Sequence, residues 1–182
     1  MKGWALGIVT AAALVACAAQ VTEVNAAEVN IVALGASNTF GSGRGRTNGG
    51  VPSSQAYPAQ LQALLAAKGL KAHVKNAGIP GDTTGGMLAR LNSAVPDGTS
   101  IVILQPGGND ARRGQGASRQ DNIAEIKHRL AARHIKVIVL GHLGQIAPKA
   151  TRDPDGQHFN AQGHAAFAAW LAPRVLAAAR GN

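Results

Sequence analysis

A serine near the start of the chain and an aspartate–histidine pair near its end have residue types and spacing suited to acyl-transfer chemistry. Ser37 follows the apolar run VNIVAL, although most serines at such a strand end are turn or cap residues. Asp155 and His158 stand three apart in DPDGQHFNAQGH, where a turn can bring both side chains together. The carboxylate would then accept the imidazole Nδ1–H and leave Nε2 free to take a proton from a serine. Asp153 is an alternative partner for His158.

Acyl transfer also requires hydrogen-bond donors aimed at the oxygen that becomes negative in the transition state. The backbone N–H groups of Ser37 and Gly81 are two candidate donors, since glycine lets the backbone approach a ligand closely. The side-chain amide of Asn109, in PGGND, is the third. Each of these residues, taken alone, is more typical of an ordinary turn than of an oxyanion hole.

Apolar runs that alternate with helical patterns must position these residues. The periodicity predicts strands at 29–34, 72–76, 100–105 and 135–140. It predicts helices around Tyr57, Leu61 and Leu65, around Met87 and Leu91, and at Ile123, Ile126 and Leu130. A last helix is expected over 161–179, with Pro173 kinking or restarting it.

Alternating strands and helices predict a parallel sheet covered by helices on both faces. In such sheets ligands bind at the carboxyl ends of the strands. The turns after the first three strands are polar and glycine-rich, and contain Ser37, Gly81 and Asn109 respectively. We therefore expect these three residues to meet on one rim.

Four motifs together resemble the SGNH (GDSL-type) hydrolase family: GASNT with Ser37, NAGIPGDTT with Gly81, GGND with Asn109, and DGQH with Asp155 and His158. The resemblance implies a three-layer α/β/α sandwich, flavodoxin-like, with a parallel sheet of four to five strands. It also implies a Ser37–His158–Asp155 triad and an oxyanion hole of Ser37, Gly81 and Asn109. GDTT, ARL and GGNDARRG are most similar to the periplasmic multifunctional acyl thioesterase, lysophospholipase and arylesterase branch.

The chain departs from the family pattern in two places. Ala36 and Asn38 stand where the family usually has Asp before the serine and Leu after it, which bears on the stability of the turn more than on the chemistry. Only about ten residues separate the fourth strand from Asp153, where relatives commonly have another strand and helix. This shortening predicts a four-stranded sheet and a more open substrate cleft.

Composition limits the partners. The 182 residues suit one domain, and the net charge of +9 comes from scattered basic residues without a dense run or interleaved aromatic residues. Nucleic acid is therefore not an expected partner. The family resemblance instead implies a small-molecule ester or thioester as substrate, and we expect no cofactor and no metal. Arg44, Arg46, Arg112 and Arg113 either flank the cleft and attract an anionic group or are solvated surface charges.

The first 26 residues read as a cleaved signal peptide, with Lys2, an uncharged apolar stretch and the small-residue pattern Val24-Asn25-Ala26. The hydrolase domain is then 27–182, periplasmic or secreted, with no membrane span in the mature chain. Cys17 ends LVAC, which resembles a lipoprotein cleavage box, so a lipid anchor is the alternative to a small residue within the signal. As the only cysteine, it excludes an internal disulfide.

Two other functions fit part of the sequence. A metal-dependent hydrolase would use His142, Asp153, Asp155, His158 and His164, but it leaves the GGND and NAGIPGDTT turns unexplained. A catalytically silent protein that binds cell-envelope carbohydrate is suggested by the short chain and the export signal.

Overall fold

The computed structural model describes residues 28–42, 50–141 and 151–181. Within these ranges the four strands are β1 (Val29–Gly35), β2 (Ala72–Gly78), β3 (Ile101–Gln105) and β4 (Lys136–Val139). The helices are α1 (Ser37–Phe40), α2 (Tyr57–Ala67), α3 (Thr84–Ala89), α4 (Leu91–Ala94), α5 (Asn109–Arg112), α6 (Arg119–Ala132) and α7 (Ala161–Arg180). Short 3₁₀ turns at Ser53–Gln55 and Gly116–Ser118 precede α2 and α6.

The four described strands form one parallel sheet in the order β2-β1-β3-β4. Alternate residues of β1 point to opposite faces, and both faces are buried. Ile31 and Ala33 pack with α2 and α7, whereas Val32 and Leu34 pack with α3, α4 and α6. This double burial explains the nearly continuous apolar runs and confirms the predicted three-layer sandwich.

The helices lie close to where the periodicity predicts them, except that the single short helix predicted around Met87 and Leu91 is interrupted at Arg90 and forms α3 and α4. Leu61 and Leu65 of α2 are buried, as are Ile123, Ile126 and Leu130 of α6. α2 ends before Gly69, which adopts a left-handed φ of 79° typical of the residue that follows a helix. α7 continues through the exposed Pro173 as a single helix, so this residue does not restart it.

Strand order determines where the site lies. β1 is central, and the chain leaves its carboxyl end at Gly35, beside the carboxyl ends of β2 and β3. The turns that follow these three strands therefore meet, as predicted. No helix within the described ranges is long and apolar enough to cross a membrane.

Candidate active site

The turn that carries Ser37 lies directly at the end of β1. Ala36 is buried, and its carbonyl accepts the N–H groups of Thr39 and Phe40 at 3.1 and 3.0 Å. Ala36 gives no side-chain cap, in contrast to the aspartate usual in the family. Gln105, at the end of β3, takes part instead: its Oε1 accepts the Ala36 N–H at 3.4 Å and the Thr39 hydroxyl at 3.0 Å. The turn is thus held from the neighbouring strand.

A pair of glycines lets α1 rest on the sheet. Gly35 and Gly78 are register partners at the ends of β1 and β2. A Cβ on Gly78 would lie 2.8 Å from the Phe40 Cα, which is closer than real Cβ atoms come to other heavy atoms. The backbone of α1 therefore fits only over a surface without side chains. In the sequence, Gly35 directly follows the predicted first strand, whereas Gly78 stands two residues beyond the predicted second strand, which the structure extends to Gly78.

Asp155, His158 and Ser37 form a continuous hydrogen-bonded series. His158 Nδ1 lies 2.6 Å from Asp155 Oδ2, and His158 Nε2 lies 2.8 Å from Ser37 Oγ. Asp155 Oδ1 also accepts the backbone N–H groups of Gln157 and His158, at 2.8 and 3.0 Å. Asp153 instead donates its backbone N–H to the His158 carbonyl. Of the two aspartates, only Asp155 contacts the imidazole.

These contacts keep Asp155 ionised. Burial of this side chain, which is 6% exposed, by itself raises the pKa of the carboxyl. The hydrogen bonds from the His158 ring and from the two backbone N–H groups outweigh burial and lower the pKa to about 2. Asp155 is thus a fixed anion that can orient the imidazole and stabilise its protonated form.

Asn38, which stands where the family usually has leucine, connects the serine turn to the histidine loop. Its Oδ1 accepts the Phe159 N–H at 2.9 Å, and its Nδ2 donates to the Gln157 carbonyl at 3.2 Å. His158 lies between these two residues in the chain. Asn38 therefore holds the backbone on both sides of the histidine, a role that the sequence did not reveal.

The two other candidate oxyanion donors face the same region. Gly81 has a φ of 77° and is the third residue of a turn closed by the Asp82 N–H and the Ile79 carbonyl, a position that favours glycine. Asn109 Nδ2 donates to the Asp82 carbonyl at 2.7 Å, and its Oδ1 accepts from Arg112 Nη1 at 2.9 Å. One N–H of the Asn109 amide is thus engaged, and the second is available to another acceptor.

A half-buried arginine and a buried aspartate hold these turns in position. Arg90 donates to the carbonyls of Gly35 and Ala77 and forms an ion pair with Asp82 at 2.8 Å. Asp110, which is 1% exposed, accepts the backbone N–H and hydroxyl of Thr84. The ends of β1, β2 and β3 are therefore connected through side chains, and neither role was identified from the sequence.

Ser37, Gly81, Asn109 and His158 line a single cleft of about 870 Å³. The structure thus brings these predicted site residues together. Asp155 does not line the cleft and contacts His158 at Nδ1, on the side of the ring away from Ser37. Arg112 lines the cleft and Arg113 does not. Cys17, Arg44, Arg46 and His142 lie outside the described residues.

His164 lies in the core rather than in the cleft. It is fully buried on α7, and its Nδ1 accepts the Tyr57 N–H at 3.2 Å. Burial, helped by the nearby His158, lowers the pKa of His164 to about 4 and keeps it neutral. Within residues 28–42, 50–141 and 151–181, no group of three or more His, Cys, Asp or Glu side chains is placed to hold a metal ion.

The fold is a parallel α/β sandwich whose cleft contains Ser37 and His158, as expected of the hydrolase family that the four sequence motifs resemble. Residues 33–174 match the GDSL-like Lipase/Acylhydrolase family, and the chain belongs to that family. The resemblance to SGNH (GDSL-type) hydrolases is therefore confirmed.

Individual relatives agree with this membership. The chain is 39% identical to Esterase TesA of Pseudomonas aeruginosa over 94 residues, which are 50% of this chain and 47% of that esterase. The match thus spans about half the length of that relative. A crystal structure of AlinE4, an SGNH-hydrolase family esterase, has a TM-score of 0.56 and 28% identity, covering 81% of this chain and 72% of AlinE4. A crystal structure of TesA has a TM-score of 0.64 over 82% of this chain and 99% of its own, and at 24% identity this likeness concerns the fold.

Proposed function

We propose that this protein is a serine hydrolase that cleaves carboxylic esters or thioesters. The observation that carries the proposal is the series of hydrogen bonds from Asp155 through His158 to Ser37, with heavy-atom distances of 2.6 and 2.8 Å, which opens on the cleft. A histidine in this position can take the proton of the serine hydroxyl as the oxygen attacks a carbonyl. Membership of the acylhydrolase family supports the same substrate class.

The reaction would follow two acyl-transfer steps. Ser37 Oγ attacks the carbonyl carbon while His158 Nε2 accepts the hydroxyl proton, and the negative charge develops on the carbonyl oxygen. The N–H groups of Ser37 and Gly81 and the free N–H of Asn109 Nδ2 would stabilise that oxygen. His158 then protonates the departing alcohol or thiol. Water, deprotonated by His158, cleaves the acyl-enzyme and restores Ser37.

Asp155 has a supporting part in this scheme. Because it accepts the Nδ1–H, it fixes the tautomer in which Nε2 is the base, and its charge stabilises the imidazolium that forms in each step. No cofactor or metal takes part. The substrate is a small-molecule ester or thioester, of the lysophospholipid or aryl ester kind.

The N-terminal sequence supports a proposal on location. Residues 1–26 would direct export and be removed, which leaves the hydrolase domain, 27–182, in the periplasm or outside the cell. A lipid anchor at Cys17 is the alternative.

Hydrolysis of p-nitrophenyl esters from acetate to palmitate, by the wild type and Ser37→Ala, tests the activity. We expect turnover in the wild type and none in Ser37→Ala, since the hydroxyl is the attacking group. Ser93→Ala, which removes an exposed hydroxyl on α4, is the matched control and should keep full activity. A serine-directed phosphonate should modify the wild type at Ser37. Wild-type turnover by Ser37→Ala, or inhibition by a chelator without reaction with the phosphonate, would overturn the mechanism.

A further inference from the structure

Three arginines line the cleft that contains Ser37 and His158. Arg112 is at the end of α5, Arg119 begins α6, and Arg152 lies in the loop before α7. No aspartate or glutamate is among the described residues that line the cleft. Asp155, which lies behind the lining residue His158, is hydrogen-bonded to the His158 ring. The cleft wall is therefore cationic.

Each of the three guanidinium groups is held in place by neutral acceptors. Arg112 Nη1 and Nη2 donate to Asn109 Oδ1 and Gln157 Oε1, at 2.9 and 2.5 Å. Arg119 Nη2 donates to the carbonyl of Pro106, at the end of β3, at 3.3 Å. Arg152 Nη1 donates to the Gly156 carbonyl at 3.2 Å. These bonds orient the side chains without neutralising their charge.

Three other arginines among the described residues differ in this respect. Arg90, Arg129 and Arg133 form ion pairs with Asp82, Glu125 and Asp97. Arg112, Arg119 and Arg152 form none with a described carboxylate, and Arg152 Nη2 is buried without a hydrogen-bond partner among the described residues. Arg113, Arg174 and Arg180 also form no ion pair with a described carboxylate, but they do not line the cleft. Within the cleft no described carboxylate neutralises the three arginines, so an anionic substrate can supply the counter-ion.

We propose that the cleft selects esters or thioesters that carry an anionic group, a carboxylate or a phosphate, close to the scissile carbonyl. This inference rests on the proposed function. Arg112 contacts both Asn109, on the oxyanion side, and Gln157, next to His158, so its charge lies at the entrance to the reacting atoms. Arg119 extends the same cationic surface toward the end of β3.

Matched substrates test the proposal. The enzyme is given 4-acetoxybenzoate and 4-acetoxybenzamide, which differ in charge but little in size, with 4-acetoxyphenyl phosphate as the phosphate arm. A second pair, the p-nitrophenyl esters of 4-carboxybenzoic and 4-carbamoylbenzoic acid, places the charge on the acyl part. We expect the ratio of kcat/KM, anionic over neutral, to fall about five- to tenfold in Arg112→Gln and in Arg119→Gln for at least one pair. If the arginine variants lower kcat/KM for the carboxylate substrate and for the phosphate substrate to different extents, the more affected substrate identifies the anion that the cleft prefers.

The ratio is taken within each variant, so any loss of the common catalytic rate cancels. This matters for Arg112, which also contacts Asn109. Lys127→Gln, an exposed residue of α6, makes the same change in net charge as Arg119→Gln and should leave the ratio unchanged. Added salt should lower the wild-type ratio because it screens the cationic wall. Ratios that the two arginine variants leave unchanged for both pairs would overturn the anionic preference, while hydrolysis of the neutral esters through Ser37 would leave the proposed function intact.

Discussion

Asn38 and Phe159 are 121 residues apart in sequence, and the Asn38 side-chain oxygen accepts the Phe159 backbone N–H at 2.9 Å. This bond joins the turn that carries Ser37 to the loop that carries His158. The amide nitrogen of Asn38 adds a second bond, to the Gln157 carbonyl at 3.2 Å. The distance between the proposed nucleophile and its base is therefore set by a side chain that itself does no chemistry.

Asn38→Ala should reduce both stability and activity. The Phe159 N–H would lose its partner next to a fully buried ring, at a cost of about 1–3 kcal/mol in the free energy of unfolding. Looser placement of His158 should lower kcat about ten- to a hundredfold. Urea unfolding and ester hydrolysis measure the two effects. Asn38→Asp keeps the acceptor and should recover most of the stability. A wild-type kcat in Asn38→Ala would mean that the loop is positioned without this residue.

Asn109→Ala should act mainly on kcat. Removal of one donor to the oxyanion lowers kcat by about 10²–10³, with little change in KM, because the bond strengthens only in the transition state. Asn122→Ala is the comparison: Asn122 donates to Thr84 Oγ1 at 3.1 Å, does not line the cleft, and should affect stability more than kcat. If both variants lose stability and neither loses kcat, Asn109 only supports the turn through Asp82.

Asp155→Asn should leave the fold intact and reduce kcat steeply, by up to about 10⁴ as in the chymotrypsin-type triad. The amide oxygen can still accept the two backbone N–H groups, but the amide lacks the charge and can hold the wrong tautomer of His158. Asp153→Asn is the matched control and should be nearly as active as the wild type, since Asp153 does not contact the ring. Equal losses in the two variants would contradict the assignment.

The pH dependence of wild-type activity should not include a transition caused by protonation of Asp155. Its pKa of about 2 leaves the carboxylate ionised at every pH at which the enzyme is assayed. Activity lost on acidification above pH 4 should therefore arise from groups other than Asp155, or from unfolding. The variant Asp155→Asn should change the height of the kcat/KM profile far more than it adds or removes a transition near pH 4.

His164 should make the fold sensitive to acid. Its folded pKa is about 4, below the ordinary value of 6.5, so its contribution to stability is complete above pH 6.5 and is lost as the pH falls. Between these two values the unfolded chain binds more protons than the folded one, which costs about 3 kcal/mol of the free energy of unfolding by pH 4. Asp155 contributes a separate loss, below its ordinary pKa of 3.8.

The free energy of unfolding, measured with urea at pH 7.5, 5.5 and 4.5, tests the proposed contribution of His164. His164→Asn, which can still accept the Tyr57 N–H but does not titrate, should lose less stability over this range than the wild type. His73→Asn, at an exposed position, should keep the wild-type dependence. A wild-type dependence in His164→Asn would show that another group is responsible.

The strands, the helices and the identity of the candidate site residues were determined by the sequence alone. A strand buried on both faces must be apolar throughout, so runs such as IVIL marked the sheet locally. The residue types that make up a candidate catalytic turn also lie within a few positions of one another in the sequence. For that reason Ser37, Gly81, Asn109 and the Asp155–His158 pair could be selected without coordinates.

The tertiary structure decided what depends on contacts between distant parts of the chain. Asp155 and Asp153 are both near enough in sequence to reach His158. The family resemblance favoured Asp155, and the loop geometry places only Asp155 against the ring. Gln105, Asn38 and Arg112 hold the site through partners 45 to 121 residues away. Nothing in their local sequence sets these bonds. A hydrogen bond requires a specific distance and direction between donor and acceptor, and these are determined only when the whole domain packs.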